Sequence, residues 1–149
     1  MSNSEQSNQG AELADKANSQ MNVGFAELIG LKYTELTKDR VRGEFTITPD
    51  LHQPYGIVHG GVYCAVIETL ASVAGAYWYG RKGTCVGVNN NTDFLRSVRE
   101  GTLYGEATPI HRGRSQQLWQ VSIVDAEDKL VARGQVRLAN LENPAPAAS

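Results

Sequence analysis

Hydrophobic and polar positions divide the chain into a polar start, one long apolar run and several alternating segments. Residues 23–29 read as a short helix closed by Gly30. A strand-like stretch covers residues 31–48. Within it, Val41, Gly43, Phe45 and Ile47 alternate with Arg42, Glu44, Thr46 and Thr48, the period of a half-buried strand. Residues 51–58 carry Pro54 and Gly56 and read as a loop. From His59 to Gly80 the chain is apolar almost without interruption. That predicts a helix of about 20 residues, ~30 Å long, buried on every side. Four strand-like segments follow, at 84–94, 101–111, 115–124 and 129–138. Asp125, Ala126, Glu127 and Asp128 have the chemistry of a hairpin turn. Trp119, Val121 and Ile123 alternate with Gln120 and Ser122. One helix followed by antiparallel strands with short links predicts the α+β class. The simplest assembly is a sheet curled round the buried helix.

The remaining segments bound the domain. Residues 1–20 are rich in Ser, Asn, Gln and Glu, which predicts a mobile tail. A second tail is expected over 143–149, which leaves residues 21–142 as the folded domain. The 149 residues, 41% hydrophobic and 20% charged, suit one soluble globular domain. The net charge of −2 shows no basic excess, so nucleic acid is not an expected partner. Cys64 and Cys85 form no paired motif, so neither a disulfide scaffold nor a zinc ribbon is suggested. The first residues lack the apolar core of a signal peptide, and a cytosolic location is expected. The run 59–80 is long enough for a membrane span. Glu68 at its centre would be expensive in lipid, so a core helix is the better reading and no membrane partner is expected.

A carboxylate in the middle of an apolar helix needs a reason. Glu68 could meet solvent or pair with an arginine there. It could equally be a reactive carboxylate held in a dry pocket. Ser72 stands four residues on, on the same helix face. His59, Gly60 and Gly61 fall at the helix start. Glycine there lets a carbonyl approach the backbone, where free N–H groups and the helix dipole polarise it. About 8 residues, or ~12 Å of helix, separate that start from Glu68. One carbonyl cannot touch both within one chain, which suggests a site shared between two subunits. Arg96, Arg99, His111, Arg112 and Arg114 form a local basic set whose guanidinium forks suit phosphates, or else a solvated surface. Cys64 reads as a buried core cysteine. No serine-hydrolase elbow, nucleotide loop or zinc-protease motif occurs, and His52, His59 and His111 are too scattered to suggest a metal.

The segment Gln53-Pro54-Tyr55-Gly56-Ile57-Val58-His59-Gly60-Gly61, with Glu68 and Ser72 beyond it, resembles the signature of hotdog-fold acyl-CoA thioesterases. The similar branch acts on 4-hydroxybenzoyl-, phenylacetyl- and dihydroxynaphthoyl-CoA. The resemblance covers roughly residues 24–140 and includes residues 91–101, which are similar to the family's N-x-x-F-x-R-P-V-x-x-G segment, with Ser97 where proline is usual. It implies a hotdog fold, a homodimer or homotetramer with shared sites, and hydrolysis of acyl-CoA without metal or other cofactor. It implies Glu68 as nucleophile or general base. The Gly60 N–H would hold the thioester oxygen, with Gln53 near the leaving sulfur. Ser72 would help orient water, and His59 would position the loop or cap the helix. Gly61, Arg96, Arg112, Arg114 and Ser115 are the expected substrate-binding residues. Glu68 together with Ser72 favours the aryl-CoA and dihydroxynaphthoyl-CoA members. The rivals are a hotdog hydratase or dehydratase and a non-catalytic acyl-CoA binding protein.

Overall fold

The structure, a computed structural model, describes residues 3–143. Its helices are α1 (Asn3–Met21), α2 (Phe25–Ile29) and α3 (Gly60–Tyr79). Its strands are β1 (Lys32–Leu36), β2 (Val41–Thr46), β3 (Gly83–Phe94), β4 (Thr102–Arg112), β5 (Gln116–Val124) and β6 (Leu130–Glu142). They form one six-stranded sheet in the order β1-β2-β4-β5-β6-β3, with every pairing antiparallel. The class is the expected α+β, with a long central helix wrapped by the sheet: α3 packs against β2 through β6. By length and composition the segment Gly60–Lys82 could cross a bilayer. Here it is the core of a domain.

The core follows from the two periods meeting. Val66, Ile67, Leu70, Ala71 and Ala74 on α3 are fully buried, as are Trp119, Val121, Ile123, Val136 and Leu138 on the alternating inner face of the sheet. Each of the valine, leucine and isoleucine side chains is worth ~1.5–3 kcal/mol by its burial. At Gly75 the helix comes so close to the sheet that a Cβ would collide with Leu138. Beside it, buried Gln117 donates from Nε2 to the Gly75 carbonyl at 3.4 Å and to Asn140 Oδ1 at 2.6 Å. Its Oε1 accepts the Trp119 indole N–H at 2.7 Å. This fully buried amide is thereby satisfied, and it ties helix to sheet.

Two expectations are corrected. The strand-like stretch 31–48 is a hairpin, β1 and β2, because Thr37 Oγ1 and the Arg40 backbone close a turn between them. The tail expected over residues 1–20 is instead α1 from Asn3 onward. Its composition gives few apolar groups, but the small residues Ala14 and Ala17 are buried, and a Cβ added at Gly10 would fall 3.3 Å from the Glu35 side chain and 3.4 Å from that of Thr37. That close approach lets Asn18 act as a strand would: its Nδ2 donates to the Tyr33 carbonyl at 2.8 Å and its Oδ1 accepts the Tyr33 N–H at 2.7 Å. The helix thus covers the β1 edge of the sheet. Beyond Asn143 the C-terminal tail lies outside the described residues. At the other edge, β3 pairs with β6 alone and leaves Val86 and Val88 exposed.

Candidate active site

The loop before α3 is built to hold the helix start. Gln53 N–H donates to the Ile57 carbonyl at 2.8 Å and Gly56 N–H to the Gln53 carbonyl at 2.9 Å, a tight turn in which Gly56 has φ of 72°. Arg99 Nη1 donates to the carbonyls of Tyr55 and Gly56 at 3.0 and 3.1 Å, and a His52 ring nitrogen bonds the Arg99 carbonyl at 2.7 Å. Arg99 is therefore a brace for this loop. Gln53 Oε1 accepts the Tyr55 N–H at 2.8 Å, which leaves its Nε2 protons for a ligand. His59 is the N-cap of α3, its Nδ1 accepting the Gly61 N–H at 2.8 Å. A neutral imidazole in that role carries its proton on Nε2. The Gly61 N–H is thus occupied, whereas the Gly60 N–H has no acceptor among the described residues.

A cleft of about 390 Å³ opens at this helix end, lined by Gln53, His59, Gly60, Gly61 and Arg96 together with the rings of Tyr63 and Phe94. Phe94 lies on Gly60 so closely that a Cβ there would fall 2.6 Å from the ring. Tyr63 and Phe94 pair with centroids 6.0 Å apart. Burial pushes the Tyr63 phenol up to about 12, and its hydroxyl has no partner among the described residues.

Glu68 does not line this cleft. Its half-buried side chain faces β3, where a Cβ on Gly87 would overlap Oε1. Oε2 accepts from Asn90 Nδ2 at 3.1 Å, and the same nitrogen donates to the Cys64 carbonyl at 3.1 Å. Thr92 Oγ1 donates to Asn90 Oδ1 at 2.6 Å. Ser72, one turn along α3, adjoins the same strand through the Cys85 thiol, which burial makes harder to ionise. The Gly60 N–H therefore opens on the cleft at the start of α3, whereas the carboxylate, about two turns along the helix, lies outside that cleft. Both lie against β3, the edge strand that pairs with β6 alone among the described residues.

Asn90, Thr92 and Gly87 escaped the sequence reading because of one irregularity. Pairing with β6 shifts register between Gly87 and Asn89, leaving Val88 as a bulge. Gly87 pairs with Leu138 on the inner face, and beyond the bulge Asn90 pairs with Val136 there, followed by Thr92 opposite Gly134 and Phe94 opposite Ala132. A regular strand would have turned Asn89 and Asn91 to the helix instead. The basic set is also divided. Arg96 lies at the cleft by the α3 start. Arg112 and Arg114 line a second cleft by the α3 end, with Trp78 and Lys82. There Arg112 donates from Nη1 to Asp39 Oδ1 and to the Lys38 carbonyl, both at 2.8 Å. Ser115 is exposed in the adjoining turn, and its carbonyl accepts the Asn140 N–H at 2.9 Å.

The model of a family described as the thioesterase superfamily matches residues 55–132. The chain belongs to that superfamily. This superfamily member is 55% identical over 123 residues to "Putative esterase Rv1847" of Mycobacterium tuberculosis, covering 80% of the chain and 88% of its relative. The solved structure of that protein superposes with a TM-score of 0.81, at 54% identity over 83% of this chain and 100% of the other. S. sahachiroi AziG matches with TM-score 0.80 and 47% identity, covering 81% and 98% of the two chains. Thioesterase HI1161 of Haemophilus influenzae matches with TM-score 0.84 and 29% identity, covering 91% and 94%. These likenesses make the fold a hotdog thioesterase fold and support thioester hydrolysis as the class of reaction.

Proposed function

We propose that the protein hydrolyses acyl-CoA thioesters with aromatic acyl groups, with Glu68 as the reacting carboxylate, in the cytoplasm. The observation that carries this reading is the placement of Glu68: a half-buried carboxylate on an apolar helix, held by Asn90 and turned toward a sheet edge that no other strand covers among the described residues. A second copy pairing along β3 would bring the Gly60 loop of one subunit toward Glu68 of the partner subunit, so the working unit is a homodimer or a homotetramer built from it. The free Gly60 N–H at the positive end of α3 then polarises the thioester carbonyl. Gln53 also lines this cleft, and its Nε2 is the group offered to the leaving sulfur. The exposed Phe94 ring, tilted against the buried Tyr63, offers an apolar surface for an aryl group.

The chemistry balances in either of two forms. As general base, Glu68 takes a proton from water as the water oxygen adds to the carbonyl carbon; the C–S bond then breaks and the proton passes to the CoA thiolate. As nucleophile, Glu68 adds to that carbon and expels CoA, and water hydrolyses the resulting anhydride. Ser72 helps orient the water in both. The exposed Arg96 at the cleft mouth, and the exposed Arg114 with Arg112 and Ser115 at the far cleft, are the surfaces offered to CoA phosphates. A hydratase would need His59 as a mobile acid–base group, and its Nδ1 is committed to Gly61.

The test is thiol release from a panel of acyl-CoAs. Hydrolysis strongest on aromatic members, lost in Glu68→Gln and only weakened in Ser72→Ala, is the expected outcome. Near-normal turnover by Glu68→Gln would remove Glu68 from the chemistry. Background release from every CoA ester would favour a binding protein. Mixed dimers of Glu68→Gln with a Gly60-loop variant should regain activity, because one of their two sites is intact; verified hybrids without activity would refute the shared site.

A further inference from the structure

We propose that Asn90, locked by Thr92, is the positioning residue that fixes which Glu68 oxygen reacts. The inference rests on the proposed reaction and adds to it a device that its signature residues do not contain. The Asn90 amide has all its hydrogen-bonding groups engaged in one arrangement. Nδ2 donates to Glu68 Oε2 and to the Cys64 carbonyl, both at 3.1 Å. Oδ1 accepts from Thr92 Oγ1 at 2.6 Å. A flipped amide would turn its oxygen toward the carbonyl and the carboxylate and its NH2 toward the hydroxyl. The first two contacts would then be repulsive. The acceptor-only Cys64 carbonyl and Glu68 carboxylate therefore select the orientation in which Asn90 is a donor to Glu68, and the Thr92 hydroxyl, donating to Oδ1 at 2.6 Å, holds the amide in place.

The consequence is an asymmetric carboxylate. Oε2 is anchored, whereas Oε1 has no donor among the described residues and faces Gly87, where the missing side chain leaves room for it. Oε1 is the oxygen left to take a proton from water or to attack the thioester. The Val88 bulge is what makes the arrangement available, since it turns Asn90 and Thr92 together onto the helix-facing side of β3. Without the clamp the carboxylate has other rotamers, and a displacement of about 1 Å at a reacting group costs as much as 100-fold in rate.

The experiment compares wild type with Asn90→Ala, Thr92→Val and Thr92→Ser. Each is assayed for kcat and KM on the best acyl-CoA of the panel, for thermal unfolding, and by crystal structure. Thr92→Val keeps the shape and removes the hydroxyl; Thr92→Ser keeps the hydroxyl. The expected result is a kcat lower by roughly 10-fold to 100-fold in Asn90→Ala and Thr92→Val, with KM nearly unchanged and activity restored in Thr92→Ser. The Glu68 carboxylate should be displaced in Thr92→Val crystals and in place in Thr92→Ser. A Thr92→Val protein with wild-type kcat and an unmoved Glu68 overturns the clamp while leaving the reaction standing. If wild type hydrolyses no thioester the proposed reaction fails, and the position of Glu68 in the crystals alone still decides the clamp.

Discussion

Replacing Gly87 by alanine adds one methyl group to an exposed strand at the sheet edge, and it should lower activity while leaving the protein folded. The backbone at Gly87 is ordinary strand without positive φ, so alanine is tolerated locally. Reduced freedom of the unfolded chain would by itself stabilise by about 0.4–1 kcal/mol. The added Cβ, however, would overlap Glu68 Oε1 and sit 3.1 Å from its Cδ. The obstacle is the far end of a flexible side chain, so the strand stays and Glu68 moves. Moving it forfeits the Asn90 hydrogen bond at 3.1 Å. A hydrogen bond to a charged group is worth about 1.5–3 kcal/mol. At about 1.4 kcal/mol per factor of ten, turnover should fall roughly 10-fold to 100-fold. The assay is steady-state thiol release beside a thermal melt and a measurement of oligomeric state. A folded, correctly assembled Gly87→Ala protein with wild-type kcat would show that Glu68 need not occupy this position to react.

Two further substitutions test the packing. Tyr63→Phe removes a buried hydroxyl that lacks a partner, and should stabilise by about 1 kcal/mol, the scale of an unsatisfied polar group; a lowered Tm would mean that the hydroxyl is bonded in the assembled protein. Asn18→Ala removes both bonds to the Tyr33 backbone and should cost about 1–3 kcal/mol. Hydrogen exchange at the Tyr33 amide reads this directly, and unchanged protection there would mean that α1 does not cover the β1 edge.

The difference between what the sequence disclosed and what it hid is physical. Helix α3 and the strands after it were legible because each buries a periodic face, and burial is what the pattern of apolar residues records. Glu68 stood out for the converse reason: a charge inside an apolar run breaks the pattern and demands an explanation. The N-terminal helix broke no pattern and showed no apolar stripe. Its hold on the domain lies in Gly10, Ala14 and Ala17 coming close to an edge strand and in one asparagine side chain satisfying main-chain groups. The pairing partner is far along the chain, so no local window contains the signal.

The same limit explains the site. Asn89, Asn90 and Asn91 are chemically identical in sequence, and a period of two assigns Asn89 and Asn91 to the face that carries Gly87. The bulge at Val88 reverses that assignment, and a bulge is a property of two paired strands rather than of one. Because the inward positions after it are Asn90, Thr92 and Phe94, one inserted residue sets both halves of the proposed chemistry. It delivers the amide that anchors Glu68 and the ring that lies on Gly60. Deleting Val88 should therefore disturb the carboxylate and the cleft together, whereas a substitution of its exposed side chain should leave both faces of β3 as they are.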